Sequence, residues 1–383
     1  MEIEALQSLF LKHKERSLFG RYIHSNHIEP LLTKLPKEFK VTVIGVSVND
    51  HNIYSITIGT GHKKILMWSQ MHGNEATTTK ALFDLINTLK GNSEMSETIL
   101  KHFTLTIIPI LNPDGAKAYT RLNANSIDLN RDAQNLSQPE SRALRACFDA
   151  FKPHYCFNLH GQRTIFSAGH DNKVATLSFL SPAQDEQRSV TQTRAVAMSV
   201  INRMTETLYK EIPGQVGIYD DSFNIDCVGD TFQALNVPTV LFEAGHYKED
   251  YDREEVRRLV FQSYLVALSA IRLNTLSEKD VEMYLKTPQN EKLFFDIIIK
   301  NAIIGGVIRS VAIQYDEQLL SDSIVFIPKI VKIDKGLSNY GHREINANGK
   351  PLISINTGEL QVGMTVNSVL LNNEVLSLKL GNN

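Results

Sequence analysis

Three residues able to bind a metal ion stand at the ends of two apolar segments. His72 and Glu75 follow the apolar run 65–68, and His160 closes the segment 156–160. Two imidazoles and a carboxylate are the protein ligands of many catalytic zinc sites, whose fourth position is left for water. Residues three apart share one face of a helical turn, so His72 and Glu75 can reach the same ion. The H-x-x-E spacing also occurs by chance in many chains, so the distant His160 carries much of this prediction of one zinc ion per chain.

The elements that position these residues alternate between strand and helix patterns. Short β-branched or apolar runs predict strands, and apolar residues at a period of 3.6 predict helices. Buried strands that alternate with helices indicate an α/β sheet covered on both faces. The predicted strands are 40–48, 52–58, a strand ending near residue 72, 103–110, 155–159 and 238–242, and the predicted helices are 3–14, 76–89, 195–209 and 254–273.

The pattern changes near residue 287. Helical periodicity fades, and short β-branched runs such as 295–299 and 324–327 are separated by turns rich in Asn and Gly. We therefore predict two domains, a catalytic domain over 1–287 and a small β-rich domain over 288–383, whose role the sequence does not indicate.

Composition excludes several classes of protein. Lys and Arg total 40 and Asp and Glu total 42, so the net charge is −2 and gives no electrostatic footprint for nucleic acid or for an anionic membrane surface. No stretch approaches the roughly 18 apolar residues that span a bilayer, and the N-terminus lacks the pattern of a secretory signal. The three cysteines are widely spaced, as is typical of reduced thiols. These features predict a cytoplasmic protein and leave its oligomeric state open.

Two loops offer further polar groups. Residues 112–115 read Asn-Pro-Asp-Gly, which taken alone favours an ordinary turn. The segment 121–132 contains Arg121, Asn130 and Arg131 among several amides. It is either a solvated loop or a clamp for an anion, because the guanidinium fork matches a carboxylate or an oxyanion.

Glu243 stands at the end of the apolar segment 238–242, where ligands of open α/β sheets gather. A carboxylate beside a metal-bound water is a general base, whereas a lone Glu at a strand end is usually only a terminus. Tyr219 is a weaker candidate, since most tyrosines in such loops are packing residues. His154, His170 and His246 have no second ligand at useful spacing and are interpreted as ordinary surface or core residues.

Taken in order along residues 20 to 275, these motifs resemble the M14 zinc carboxypeptidases. The segment 121–131 is most similar to the bacterial branch that includes murein-peptide amidases and γ-glutamyl-diamino-acid peptidases. The resemblance implies a mixed parallel and antiparallel sheet of about eight strands flanked by helices. One departure is Asn74, where many digestive members carry an arginine.

The resemblance also implies a role for each residue. His72, Glu75 and His160 bind zinc, Glu243 deprotonates the zinc-bound water, and Arg121 stabilises the oxyanion. Asn130 and Arg131 hold the terminal carboxylate of the substrate, and Tyr219 falls near the mobile tyrosine of the family.

We therefore expect a zinc metallocarboxypeptidase that hydrolyses an amide bond beside a free carboxylate, with a cell-wall peptide as one possible substrate. The first alternative keeps the fold and the metal but acts on N-acyl-amino acids, as the desuccinylase and aspartoacylase relatives do. A second alternative is a peptide-binding module without catalysis.

Overall fold

The computed structural model describes residues 2–91, 93–274, 277–356 and 358–380. Within these ranges the helices, in chain order, are α1 (Ile3–His13), α2 (Ser25–Leu32), α3 (Thr77–Leu89), α4 (Glu94–His102), α5 (Pro113–Ala118), α6 (Pro139–Phe151), α7 (Gln192–Leu208), α8 (Val228–Ala234), α9 (Glu254–Leu273) and α10 (Glu278–Lys286), with one 3-10 turn at Leu129–Arg131.

The strands in the same ranges are β1 (Lys40–Val46), β2 (Asn52–Ile58), β3 (Lys63–Ser69), β4 (Phe103–Ile108), β5 (Tyr155–Gly161), β6 (Ser167–Ala168), β7 (Leu177–Leu180), β8 (Val216–Ile218), β9 (Thr239–Ala244), β10 (Asn290–Glu291), β11 (Phe294–Ile304), β12 (Val307–Leu320), β13 (Ser323–Asp334), β14 (Tyr340–Asn346), β15 (Leu352–Ser354), β16 (Ser368–Leu371) and β17 (Glu374–Ser377).

Eight of these strands form one central sheet in the order β1-β2-β4-β3-β5-β9-β7-β8. The strands β4, β3, β5 and β9 run parallel to one another. The pairs β1–β2, β2–β4 and β7–β9 are antiparallel, and β8 runs parallel to β7. The predicted fold class, a mixed α/β sheet flanked by helices with β-rich structure at the C-terminus, is confirmed. Because β3, β5 and β9 are parallel, their carboxyl ends meet at one edge of the sheet.

The two faces of the sheet are buried in different clusters. Phe157 and Phe242 pack with helices α3, α7 and α9 on one face, where the larger cluster lies. Trp68 and Cys156 lie in a smaller cluster with Phe148 of α6 and Phe232 of α8. Successive residues of a strand point to opposite faces, so the fully apolar strands predicted from the sequence are those covered on both sides.

The predicted helix 254–273 has these bounds in α9, whereas other boundaries shift by a few residues. Strand 40–48 ends at Val46, because Ser47 N donates to His51 O and turns the chain. Several shorter helices, including α2, α4 and α8, carried too little periodicity to be predicted.

The chain divides into two compact units, one of residues 1–162 and 175–290 and one of residues 163–174 and 291–383. In the second unit, β13, β12, β11 and β14 form a four-stranded sheet and β15, β16 and β17 form a three-stranded sheet. Ile297, Ile299 and Val311 are buried at the centre of its core. Among the residues that the structure covers, no helix has the length and hydropathy to cross a membrane.

Candidate metal centre

The chain leaves β3 through a tight turn that carries His72 and Glu75. Glu75 N donates to His72 O at 3.1 Å, so the two residues form one hydrogen-bonded turn just before α3 begins at Thr77. Gly73 is required there, because a Cβ at this position would lie 1.9 Å from the carbonyl carbon of Gly115. The turn places both side chains on one side of the chain, as the spacing predicts.

The segment 112–115 holds this turn in place. Asn112 is the N-cap of α5, and its Oδ1 accepts from Gly115 N at 2.8 Å. Its Nδ2 donates to Met71 O at 3.2 Å, and its backbone N donates to Gln70 O at 3.0 Å. The ordinary-turn interpretation was therefore wrong. These residues begin a helix, and Asn112 fixes the backbone beside His72.

The third predicted ligand and Glu243 lie opposite each other in neighbouring strands. In the parallel pair of β5 and β9, His160 is in register with Glu243. Residues in register share a face of the sheet, so both side chains lie on the same face near the carboxyl edge. Both are almost fully buried.

His72, Glu75 and His160 converge, and they are the one group of possible metal ligands found among the described residues. The two Nδ1 atoms of His72 and His160 lie 3.1 Å apart, and the Glu75 oxygens lie 3.0 Å and 3.2 Å from them. Tetrahedral ligands about 2.1 Å from a zinc ion are roughly 3.4 Å apart. Three lone-pair atoms at such spacing repel one another unless a cation lies between them, so the donor set fits zinc.

The charges around His72 favour a cation. Burial acts to lower the pKa of its imidazole, but Glu75 and Asp128 outweigh burial and raise that pKa to about 9. Burial also acts to raise the pKa of Glu75, yet the two histidines hold it well below its usual range. Burial lowers the pKa of His160. A site that attracts a proton this strongly offers the same negative charge to a divalent ion.

Asp128 contacts a predicted metal ligand, although the sequence did not indicate a role for it. His72 Nε2 lies 3.1 Å from Asp128 Oδ1, and with the proton on Nε2 the imidazole donates to this carboxylate. That tautomer leaves the Nδ1 lone pair free for a metal, and such outer carboxylates commonly orient metal-binding histidines. The signal in the sequence was an Asp two positions before Asn130.

Asp128 also holds Arg121 beside the metal ligands. Arg121 Nε and NH2 donate to Asp128 Oδ2 at 3.1 Å and 3.0 Å, and Arg121 NH1 lies 3.5 Å from Glu75 Oε1. The loop between them is folded around Asn123, whose Oδ1 accepts from Ile127 N at 3.0 Å and whose Nδ2 donates to Gln138 Oε1 at 2.8 Å. These contacts hold the guanidinium of Arg121 beside Glu75, and its side chain remains partly exposed.

We expect Asp128→Asn to weaken zinc binding by about 10- to 100-fold, because a neutral amide is a weaker acceptor for the His72 imidazole than the carboxylate is. The measurement is the zinc dissociation constant obtained by competition with a chromophoric chelator. The exposed Asp50→Asn variant is the control for loss of a negative charge. Equal zinc affinities of Asp128→Asn and the wild type would contradict this orienting role.

Glu243 is a buried carboxylate whose interactions leave it able to accept a proton. Its Oε2 has no hydrogen-bond partner among the described residues. Burial and the neighbouring charge of Glu75 raise its pKa well above the usual value. A desolvated carboxylate of raised pKa is a stronger base than one in water.

Tyr219 follows β8, and its phenol interacts electrostatically with Glu243 and Glu75. Its backbone N donates to Phe179 O at 2.9 Å. Burial, then the charges of Glu243 and Glu75, raise the pKa of its phenol above the usual value. The phenol therefore stays protonated and can donate a hydrogen bond.

Asn130 and Arg131 lie in the 3-10 turn that follows Asp128. Asn130 N donates to Asp128 Oδ1 at 2.9 Å, and Asn130 Oδ1 accepts from Val228 N at 3.0 Å, which leaves Nδ2 as the group able to bind an anion. Arg131 is exposed, and its NH1 donates to Asn130 O at 2.7 Å and contacts Cys227 Sγ at 3.2 Å. A cationic donor and an amide donor thus lie in the turn that follows Asp128, the residue that contacts His72.

The three histidines that the sequence left without a metal-binding role make other contacts. His154 Nδ1 accepts from Lys64 N at 3.0 Å, His170 is 88% exposed, and His246 packs against Tyr251. None of them belongs to the metal-ligand group.

Comparisons with known proteins agree with this geometry. The model of the Peptidase_M14 family, zinc carboxypeptidase, matches residues 25–226, which is more than half of the chain. The matched segment contains His72, Glu75 and His160, whereas Glu243 lies beyond it.

Individual relatives are similar over shorter segments. Carboxypeptidase 2 of Trichophyton rubrum is 29% identical over 100 residues, which cover 26% of this chain and 19% of that protein. Carboxypeptidase SOL1 of Arabidopsis thaliana is 31% identical over 137 residues, which cover 31% of this chain and 28% of that protein. The matches span less than a third of these relatives. A metallo-carboxypeptidase from Pseudomonas aeruginosa shares the fold, with a TM-score of 0.51 at 17% identity over 66% of this chain and 69% of that one.

Proposed function

Because the chain belongs to the M14 zinc carboxypeptidase family, we propose that it is a metallocarboxypeptidase that removes a C-terminal residue by hydrolysing the adjoining amide bond. The observation that carries the proposal is the convergence of His72, Glu75 and His160 beside Glu243, which lies in register with His160. The family requires zinc, and we propose one ion per chain at these three residues.

Zinc bound there would supply a Lewis acid that polarises the scissile carbonyl and acidifies a water molecule. Glu243 accepts the proton of the attacking water as the carbon–oxygen bond forms, and it returns that proton to the amine when the carbon–nitrogen bond breaks. Burial and the charge of Glu75 raise the pKa of Glu243, which favours its acceptance of this proton. We propose that Tyr219 donates a hydrogen bond to the substrate, because its phenol stays protonated.

The remaining donors bind negative charge. Arg121 lies close to Glu75 and can turn its fork from Asp128 toward the oxyanion that develops on the carbonyl. Arg131 and the Nδ2 group of Asn130 hold the terminal carboxylate of the substrate, and a guanidinium suits this task because it binds a carboxylate with two parallel hydrogen bonds. These assignments require a free C-terminus and predict exopeptidase activity.

We also propose that residues 1–287 are the catalytic domain and 288–383 an accessory β-rich domain. All of the assigned residues lie in the first compact unit, which supports this division.

The test is a panel of substrates with the zinc-loaded protein. We expect release of the last residue from peptides with a free carboxylate and at least about 100-fold slower hydrolysis of the same peptides as C-terminal amides, since Arg131 then loses its ionic partner. γ-D-Glutamyl-linked peptides test the cell-wall substrate predicted from the bacterial branch. Succinyl- and acetyl-amino acids are tested in the same assay as substrates of the alternative function, N-acyl-amino-acid deacylation. Their hydrolysis without peptide hydrolysis would assign the protein as a deacylase, and binding without any turnover would make it a peptide-binding module.

A further inference from the structure

Gln70 is a fully buried polar residue between the end of β3 and the turn that carries His72 and Glu75. Its φ is +44°, in the left-handed region that glycine and asparagine adopt with less strain than glutamine does. A strained backbone at a buried position persists only where the surroundings hold it. The contacts of the Gln70 side chain must therefore offset what its backbone conformation costs.

The side-chain amide of Gln70 joins three segments of the chain. Its Nε2 donates to Gly73 O at 2.8 Å and to Ile23 O at 2.9 Å. Its Oε1 accepts a hydrogen bond from Thr79 Oγ1 at 2.8 Å. Two carbonyl oxygens can be satisfied only by the nitrogen end of an amide, which carries two hydrogens. The amide therefore has one orientation, and both of its ends are used.

Gly73 O, which the amide binds, lies inside the metal-ligand turn. The turn is closed by the hydrogen bond from Glu75 N to His72 O. Because a peptide group is planar, a hydrogen bond to Gly73 O fixes the orientation of the peptide that joins Gly73 to Asn74. This peptide lies between the two ligands of the turn. Its orientation therefore sets the directions in which the side chains of His72 and Glu75 leave the backbone.

The second carbonyl, Ile23 O, belongs to an N-terminal segment that is anchored elsewhere. Ile23 is buried in the larger core cluster and precedes the segment that matches the family. The chain before it is fixed to α9, because Arg257 NH1 donates to Leu18 O at 2.6 Å and Arg257 NH2 donates to Glu15 O at 2.8 Å. Gln70 therefore ties the metal-ligand turn to a segment that is itself held by a buried arginine.

The third contact links Gln70 to a group of buried hydroxyls at the start of α3. Thr79 Oγ1 lies 2.9 Å from Pro109 O, so its single hydrogen serves either this carbonyl or Gln70. Ser69 Oγ lies 2.8 Å from Thr79 Oγ1 and 2.7 Å from Thr78 Oγ1. A buried polar network whose members are paired is rigid. Through this network Gln70 connects β3, the metal-ligand turn and α3.

We propose that Gln70 is a positioning residue of the metal centre. Its amide holds the turn of His72 and Glu75 in the metal-binding geometry before an ion binds, and the N-terminal segment 15–23 is the support. This inference rests on the proposed function, because it takes these two residues as zinc ligands. Ligands that are already arranged lose less conformational freedom when the metal binds, so they bind it more tightly.

The experiment replaces Gln70 with methionine, which has an unbranched side chain of similar size and lacks the amide. We expect the zinc dissociation constant of Gln70→Met, measured by chelator competition on the metal-free protein, to be about 10- to 100-fold above that of the wild type. The cobalt-loaded variant should show a changed visible absorption spectrum, because this spectrum depends on the geometry of the ligands. Gln262→Met, the same change at a buried position of α9, should leave both measurements at their wild-type values.

Gln70→Asn is a second variant. Asparagine suits the left-handed backbone better, but its amide is one methylene shorter and cannot make the same contacts, so zinc binding should weaken although the strain is relieved. Circular dichroism of the metal-free proteins shows whether each variant is folded. Wild-type zinc affinity or a wild-type cobalt spectrum in the folded Gln70 variants would overturn the proposal. Equal weakening in Gln262→Met, or failure of both Gln70 variants to fold, would assign Gln70 to general core stability and would also overturn it.

The metal-binding measurements do not depend on hydrolysis, so they separate this inference from the proposed function. If the wild type binds zinc but hydrolyses no peptide, and the Gln70 variants bind zinc more weakly, the positioning role is supported and the proposed function fails. If the wild type hydrolyses peptides and the variants bind metal as it does, the positioning role alone is refuted. A wild type without affinity for zinc would overturn both.

Discussion

Replacing Glu243 with glutamine is expected to lower kcat by about 1,000-fold or more, because a neutral amide cannot accept the proton of the attacking water. Glutamine has nearly the same size and hydrogen-bonding reach as glutamate, so the buried position at the end of β9 stays filled. Zinc content should remain at the wild-type level, since Glu243 is separate from the three converging ligands. The measurements are single-turnover kinetics on a peptide with a free carboxylate and metal analysis of the purified protein.

The control is Glu249→Gln, which makes the same chemical change at an exposed position in the segment that follows β9. It should leave kcat unchanged. A Glu243→Gln protein with kcat close to that of the wild type would remove this residue from the proton transfers. Loss of zinc together with loss of activity would instead assign Glu243 to metal binding.

His160→Ala should lose zinc and, with it, all measurable peptidase activity. A three-ligand site that loses one imidazole keeps two donors from one short turn, His72 and Glu75, and has no ligand from the neighbouring strand. Zinc sites bind through ligand count and geometry, so the remaining pair should hold the ion only weakly. We expect less than about a tenth of an equivalent of zinc after dialysis, against one equivalent in the wild type.

His170→Ala is the matched control, since His170 is 88% exposed and lies outside the ligand group. A chelator gives an independent measurement. The wild type should lose activity on chelation and regain it with added zinc, whereas His160→Ala should show no activity under either condition. Full zinc occupancy in His160→Ala would contradict the proposed ligand set.

The predicted metal ligands are the clearest case of residues that could be chosen from the sequence alone. Strongly apolar segments such as 65–68 and 155–159 can be stable only as buried strands, so their existence and type follow from composition and local pattern. Strand ends in such sheets collect functional groups, which is why His72, His160 and Glu243 could be chosen without coordinates. Motif order along the chain then indicated the family.

Other features depend on contacts between distant residues. Asp128 pairs with His72 only because the loop around Asn123 folds back toward the turn after β3. Local sequence patterns do not predict a contact between residues so far apart in the chain. The inclusion of residues 163–174 in the second compact unit, three positions after His160, also had no sequence signal.

The sequence by itself therefore determined the fold class, the three candidate ligands and the candidate base, because short-range periodicity and residue chemistry specify where buried strands end. Tertiary structure decided which polar groups meet at those ends. Strand register aligned Glu243 with His160, and this register is fixed by pairing between segments that are distant in the sequence.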